Sequence, residues 1–352
     1  MTQRNRPYLI TRNLAPENQE SPIHFLKPVV IPPRFLYRRN HFPYPEKELP
    51  SSELFINGLV NRPLRIPYHY LLQMDPVDLD VTLECAGNKR AHFEPKVFGE
   101  QWESGAISRG VWTGVPLRTL LDYAGVSQNA VEIVFTGTDH GKREDMDKEV
   151  FFQRSLPLKK ALHPDIIIAF QYNGNPIPYK HGWPFRLIVP NWYAMASVKW
   201  LQTITVIDHN FQGPFQTTDY VYYPHKENDN GKRPVTTLHV NSTIQQPLDY
   251  TQLDTGTHTI SGIAWTGEGT INEVSISLDE GKSWHTAKLK NKPSGKYSWK
   301  VWSYTWHVQE TGEYTILAKA KDSKGRTQPL VPFWNRKGYG YNAVSTIHVK
   351  IV

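Results

Sequence analysis

An α+β fold followed by an all-β sandwich is what this 352-residue sequence predicts, and three observations carry the prediction. Over the first two thirds of the chain, short apolar runs bounded by turn residues are mixed with a modest helical segment. No glycine-rich phosphate loop follows any of those runs, which argues against a doubly wound dinucleotide fold. Beyond Pro234 apolar residues recur at every second position between Asp- and Gly-containing turns, the pattern of stacked antiparallel strands.

Taken in order, residues 1–50 hold Pro22, Pro28, Pro32, Pro33, Pro43, Pro45 and Pro50. The fixed φ and missing N–H of proline favour an extended arm wrapped on a core. Leu117–Tyr123 reads as a helix with Leu117, Leu120 and Leu121 on one side, ended near Gly125. Val131–Phe135, Ile166–Phe170 and Phe185–Val189 are short strands, and Asn173-Gly174-Asn175-Pro176 is a turn. The sheet is expected to be mixed. The polar run Lys226-Glu227-Asn228-Asp229-Asn230-Gly231-Lys232-Arg233 has nothing apolar to bury. It divides the chain into a domain over 1–233, arm included, and a second over 234–352. In the second, Val274, Ile276 and Leu278 alternate with Ser275, Ser277 and Asp279. Tyr314, Ile316, Ala318 and Ala320 alternate with Thr315, Leu317, Lys319 and Lys321. Turns at Asp279-Glu280-Gly281-Lys282 and Asp322-Ser323-Lys324-Gly325 close these runs.

Composition narrows the function classes. Hydrophobic residues at 39% and charged residues at 21% describe a globular chain, and no apolar run approaches bilayer length. Met1 to Leu14 is polar, and Arg4 and Arg6 are not followed by an apolar stretch. With Met1 as the start, the expectation is a cytoplasmic protein with no membrane partner. The net charge of +7 is scattered through both halves without a basic stripe, so no nucleic-acid partner is expected. A positive field does suit a small dianion or an anionic cofactor. The single cysteine rules out an internal disulfide, a covalent c-type haem and a four-cysteine cluster within this chain.

That cysteine, Cys85, stands in Leu83-Glu84-Cys85-Ala86-Gly87-Asn88-Lys89-Arg90. It combines a soft metal ligand, a tight turn and two cations expected to lower the thiol pKa. A packing cysteine needs neither cation.

Cys85-Ala86-Gly87-Asn88-Lys89-Arg90 resembles the signature of the sulfite oxidase family, in which this cysteine binds molybdenum in a molybdopterin cofactor. The resemblance extends through Arg39-Asn40-His41, Gly105-Ala106-Ile107-Ser108 and His181-Gly182-Trp183-Pro184-Phe185-Arg186. It continues at Val198-Lys199-Trp200-Leu201 and Asp219-Tyr220, and so covers nearly the whole chain. It implies a mixed α/β molybdopterin-binding domain and a C-terminal immunoglobulin-like dimerisation domain. Cys85 is then the metal ligand. Tyr37, Arg38, Arg39, Asn40, His41, Asp139, His181, Arg186, Ser197, Val198 and Lys199 line the pterin pocket by the same resemblance. His181, Arg186 and Lys199 suit phosphate or ring acceptors, and Asp139 suits ring N–H groups.

Arg39 and Arg90 align with the family's substrate arginines, whose planar forks match a small pyramidal oxyanion. Trp102 and Tyr220 align with pocket residues, the tyrosine in position to assist proton release. The sequence departs from vertebrate-type members in Tyr297-Ser298-Trp299-Lys300-Val301-Trp302, where Lys300 replaces a substrate arginine and loses the bidentate fork. The resemblance implies oxidation of sulfite, a homodimer, and electrons leaving to an external acceptor such as a cytochrome. Two alternatives stay open: a reductase of nitrate or an S-oxide on the same core, and a non-catalytic binding protein.

Overall fold

The structure is a computed structural model and describes residues 8–26, 30–46, 53–143, 145–290 and 295–352. Arg4, Arg6, Pro28 and Pro50 lie outside the described residues. The N-terminal arm does wrap the core: Leu26, Ile31, Leu36 and Phe42 are buried. It is more ordered than its prolines suggest, because β1 (Ile10–Leu14) and β2 (Glu17–Glu20) form an antiparallel hairpin.

Ten further strands are β3 (Glu53–Gly58), β4 (Leu64–Pro67), β5 (Val77–Glu84), β6 (Ile107–Pro116), β7 (Glu132–Arg143), β8 (Lys148–Pro157), β9 (Ile167–Tyr172), β10 (Asn175–Pro176), β11 (Arg186–Ile188) and β12 (Leu201–Ile207). One sheet runs β10-β9-β6-β5, with β11 also on β9; the other runs β4-β3-β12-β7-β8. The second sheet is mixed, since β12 is parallel to β3 and antiparallel to β7. Each expected strand has an observed counterpart with ends shifted by one or more residues, and Val131–Phe135 overlaps the start of the longer strand that begins at Glu132. Between β9 and β10, Asn173 and Gly174 both have positive φ, 50° and 74°, as a two-residue hairpin turn requires.

Helices are minor among the described residues: α1 (Tyr68–Leu71), α2 (Leu117–Ala124) and α3 (Leu158–Ala161). None is long and apolar enough to cross a membrane. The α2 helix buries Leu117, Leu120, Leu121 and Ala124 and ends on Gly125, whose φ of 70° supplies the left-handed cap.

The polar run 226–233 is exposed, and it is the loop of a hairpin. Its base is the short pair β13 (Val221–Tyr222) and β14 (Arg233–Pro234). The remaining strands are β15 (Asn241–Gln246), β16 (Thr251–Leu253), β17 (Gly256–Trp265), β18 (Ile271–Ser277), β19 (His285–Thr286), β20 (Lys288–Leu289), β21 (Lys300–Val308), β22 (Gly312–Asp322) and β23 (Ser345–Ile351). They form two sheets, β15-β17-β21-β20 and β16-β23-β22-β18-β19. Ile260, Trp302 and Trp306 from the first share one core with Val274, Ile276, Ile316 and Val349 from the second. The alternating residues thus point between two facing sheets.

The larger core belongs mainly to the first two sheets. It also takes Val235, Leu238, Trp265, Trp299 and Tyr339 from the later sequence. The two halves are therefore packed together through buried aromatic rings.

Candidate functional site

Cys85 lies just past the end of β5. Its N–H donates to the Ala106 carbonyl at 2.9 Å, one step beyond the last β5–β6 pair, Glu84 with Ile107. The chain then turns: the Asn88 N–H donates to the Cys85 carbonyl at 2.9 Å and Lys89 adopts φ 65°. The Asn88 side chain pins this turn, accepting from the Ala106 N–H at 3.1 Å and donating to Glu84 Oε1 at 3.0 Å. Gly87 leaves room for the Arg90 guanidinium, since a Cβ there would sit 2.6 Å from Arg90 Nη2 and displace it.

The two cations after the turn do not act together on the thiol. Lys89 points to the later domain, donating from Nζ to Asn241 Oδ1 at 2.8 Å and to the Ser242 carbonyl at 2.7 Å. Burial pushes the Cys85 thiol pKa up, against the opposing pull of Arg39 and Arg90. The lowering expected from the sequence is thus overturned: a desolvated thiolate costs more than two nearby cations return.

The arm brings the next group. Arg38 pairs backbone to backbone with Gln19, at 2.9 and 2.7 Å, and Asn40 donates to Asn18 Oδ1 and to the Glu17 carbonyl, each at 2.7 Å. This ladder sets Tyr37, Arg38, Arg39 and His41 along the wall of a cavity that Cys85 also lines. About 760 Å³ of space free of protein atoms lies in and in front of it, open solvent included. Asn40 is not on the wall; it accepts from Lys199 Nζ and so holds that lysine.

Asp139 reaches the cavity through an irregularity in β7. The β7–β8 register shifts between Thr136 and His140, a bulge that re-aims the side chain inward. Its Oδ1 is buried without a hydrogen-bond partner. Burial raises the Asp139 pKa and lowers that of Lys199, while each partner's charge opposes the shift.

His181 ends the turn Tyr179–His181, capped by Gly182 at φ 109°, and Arg186, the first residue of β11, donates from Nη1 to the His181 carbonyl at 3.0 Å. Arg186 Nε is buried and unpartnered, and its guanidinium carbon lies 5.0 Å from the centre of the Trp112 ring. Ser197 Oγ accepts from the Val189 N–H at 3.0 Å. Burial, followed by Arg186 and Lys199, drives the His181 pKa well below its ordinary value. These residues line the cavity, as does Lys199, whereas Val198 is buried in the core behind it.

Tyr220 closes the site from the far side. It follows a single π-helical turn, Phe215–Asp219, and its hydroxyl lies 2.7 Å from His41 Nε2. Burial raises the Tyr220 pKa, against Arg39. Burial also takes His41 well below its usual pKa, helped by Arg39, Arg143 and Lys199, so its imidazole is neutral at neutral pH. Arg39 keeps its charge: burial opposes it, but its pKa is not brought below the ordinary arginine value.

Three expected substrate residues stand apart from the cavity wall. Arg90 donates to the carbonyls of Lys337 and Glu100, both at 3.0 Å, and packs on Tyr339 at 5.0 Å. Tyr339 in turn stacks on Tyr220 at 5.4 Å. Trp102 is fully buried beside Cys85 and Ala106. Lys300 opens β21, paired with Ala264, next to Trp299 whose carbonyl accepts from Arg109.

Sequence reading missed Ser108, Trp112, Phe152 and Met195 on the wall, and Arg154 and Tyr339 behind Tyr220. A signal existed for Arg154, a lone cation in the strand Phe151-Phe152-Gln153-Arg154-Ser155-Leu156.

Comparison with known proteins agrees with this geometry. Residues 41–215 match the family model described as oxidoreductase molybdopterin binding domain, and residues 232–351 match the Mo-co oxidoreductase dimerisation domain. The chain is 30% identical to the mitochondrial sulfite oxidase of Rattus norvegicus over 98% of its own length, and spans 66% of that protein. It is 31% identical to the sulfite oxidase of Arabidopsis thaliana, covering 94% of this chain and 91% of that one. Among solved structures it resembles the sulfane dehydrogenase SoxCD from Paracoccus pantotrophus, with a TM-score of 0.84 and 27% identity. That match covers 97% of this chain and 87% of the other. By sequence, fold and the cysteine at the cavity wall, the chain belongs to the sulfite oxidase family.

Proposed function

We propose that the protein oxidises sulfite to sulfate with molybdopterin as its cofactor, passing two electrons to an external acceptor. The observation that carries this reading is the donor set of one cavity. A buried thiol, Cys85, shares its wall with an unpartnered Asp139 carboxylate oxygen and an unpartnered Arg186 Nε. An orphaned acceptor and an orphaned donor buried together call for a ligand with complementary edges. Arg38, Arg39, Arg186 and Lys199 supply positive charge for an anionic group, and Cys85 supplies a soft ligand. The residues present fit molybdopterin. Bound there, it supplies two-electron redox chemistry coupled to oxygen-atom transfer, which side chains cannot provide.

The chain's own residues divide the remaining work. Cys85 ligates the metal. Asp139, His181, Arg186, Ser197, Lys199, Tyr37 and Arg38 hold the pterin and its phosphate, with Asn40 and Val198 fixing their backbone and side-chain positions. Arg39 binds the oxyanion. Conversion of sulfite and water to sulfate releases two protons with two electrons. The Tyr220 hydroxyl and His41 Nε2 are placed to take up or pass on one of those protons. Arg90 and Trp102 act from behind, Arg90 through Tyr339, and Lys300 contributes charge from the sandwich.

In this reading residues 1–233 are the catalytic domain with its arm, and residues 234–352 an immunoglobulin-like domain that forms a two-fold homodimer. The acceptor is a separate redox protein such as a cytochrome. The deciding experiment is steady-state turnover of molybdenum-loaded protein with sulfite, using ferricyanide, cytochrome c or oxygen as acceptor. Nitrate and methionine sulfoxide reduction, and oxidation of a sulfane-sulfur compound, are run alongside. Turnover of sulfite slower than of any of these substrates rejects the assignment.

A further inference from the structure

The carrying observation is a buried arginine with no acidic partner. Arg154 on β8 is 1% exposed, and its Nε and Nη2 have no hydrogen-bond partner. No carboxylate lies within ion-pair distance of it among the described residues. The nearby acids are committed elsewhere. Asp219 is held by Arg143 through two contacts of 2.6 and 3.2 Å, and Glu132 accepts from the Phe211 N–H at 3.1 Å. An unpaired buried guanidinium is expensive, so its position needs a reason beyond packing.

Its two contacts supply one. Nη1 donates to the Phe215 carbonyl, at the first residue of the π-helical turn. The guanidinium carbon lies 5.4 Å from the centre of the Tyr220 ring, at the residue where that turn ends. One side chain therefore spans the turn, gripping its start by a charge-assisted hydrogen bond and its end by the π face. Arg143 holds the same turn from β7, through Asp219 and through the Phe215 ring at 5.1 Å. π-Helical turns are locally irregular and depend on their surroundings to persist.

We infer that Arg154 is a positioning residue for the catalytic tyrosine: it fixes the Phe215–Asp219 turn and the Tyr220 ring so that the hydroxyl sits against His41. This rests on the reading of Tyr220 as acting at the substrate. Arg154 itself is not on the cavity wall and touches no reacting atom. It acts through the Phe215–Asp219 turn and the Tyr220 ring, and its charge also helps to lower the His41 pKa.

The test is a double-mutant cycle read together with a structure. Arg154→Met, in the molybdenum-loaded full chain, lowers kcat/KM for sulfite by about 30-fold, the scale set by displacing a reacting group by a fraction of an ångström. In the Tyr220→Phe background the same substitution costs less than about twofold, because the group it positions has gone. The crystal structure of Arg154→Met shows the Tyr220 hydroxyl withdrawn from His41. An equal loss in both backgrounds overturns the inference, since Arg154 then acts on the fold or on the general field. An unchanged Tyr220–His41 contact also overturns it. If Arg154→Met does not fold, Arg154→Lys takes its place. It keeps the charge but not the planar face, and the same non-additivity is expected at smaller size. Wild-type protein that fails to oxidise sulfite refutes the functional reading alone, while the Tyr220–His41 contact still judges the clamp.

Discussion

The Tyr220 hydroxyl and His41 Nε2 lie 2.7 Å apart, although 179 residues separate them in sequence. The arm brings one and a π-helical turn brings the other. Burial makes the histidine neutral and keeps the phenol protonated, so the pair shares one proton across a hydrogen bond.

Tyr220→Phe should therefore slow turnover while leaving sulfite binding largely intact. In the proposed role, removing this positioned proton carrier costs about 100-fold in kcat, whereas the oxyanion would still meet Arg39. Steady-state kinetics check this directly. A rise in KM with kcat untouched would place the hydroxyl in ground-state binding instead.

Cys85→Ser separates ligation from folding. The side chain packs against Trp102 and Ala106, and burial already disfavours its charged form. A hydroxyl of similar size costs about 1 kcal/mol of stability there, while the hard oxygen is a poor substitute for a soft ligand. Folded protein with unchanged circular dichroism and no sulfite turnover is the expected result. Retained turnover would mean that the thiol is not at the metal.

Much of this site was legible because its chemistry is carried by short contiguous segments. Cys85 to Arg90 form one turn, and Arg39 to His41 form one edge of the arm, so the family resemblance could be carried by short motifs. The helix Leu117–Ala124 was legible for the same reason, through its leucine spacing and Gly125. What was not legible is where each cation points. Arg90 faces Tyr339 and two carbonyls, and Lys89 ties the turn to β15, because residues some 150 to 250 positions away supply their partners. Arg154 escaped because strand alternation tells which face a residue is on, not what waits there. The hairpin in the arm escaped because Glu17 to Glu20 carries no apolar alternation.

Gly105→Ala tests how the arm is fastened to the cysteine turn. A Cβ at Gly105 would lie 1.7 Å from the Ser21 carbonyl oxygen, which is backbone and cannot rotate away. The same segment carries the Ser21 N–H bond to the Gly105 carbonyl at 3.1 Å and the Gly105 N–H bond to Glu20 at 2.8 Å. Forcing them apart should cost about 2–3 kcal/mol, in the range of overpacked cores and broken buried polar contacts. Urea unfolding measures the loss, and limited proteolysis should cut the arm first. Wild-type stability and protease resistance would show that the arm is held elsewhere.

Acid should weaken the fold through its buried histidines. The His181 pKa is driven well below its ordinary value, first by burial and then by Arg186, Lys199, Arg38 and Lys180. In the unfolded chain a histidine protonates near pH 6.5, so between that value and the folded pKa the unfolded state binds the extra proton. The contribution to stability is complete above pH 6.5 and is lost as pH falls through that window. Each such histidine adds up to about 1.4 kcal/mol per pH unit to the slope. His181→Gln cannot take the proton, and it keeps the backbone carbonyl that receives Arg186. Urea unfolding of cofactor-free wild type and His181→Gln at pH 7.5, 6.5 and 5.5 should give curves that converge as pH falls. Parallel curves would show that His181 is protonated in the folded protein, with a negative group facing it that offsets the surrounding cations.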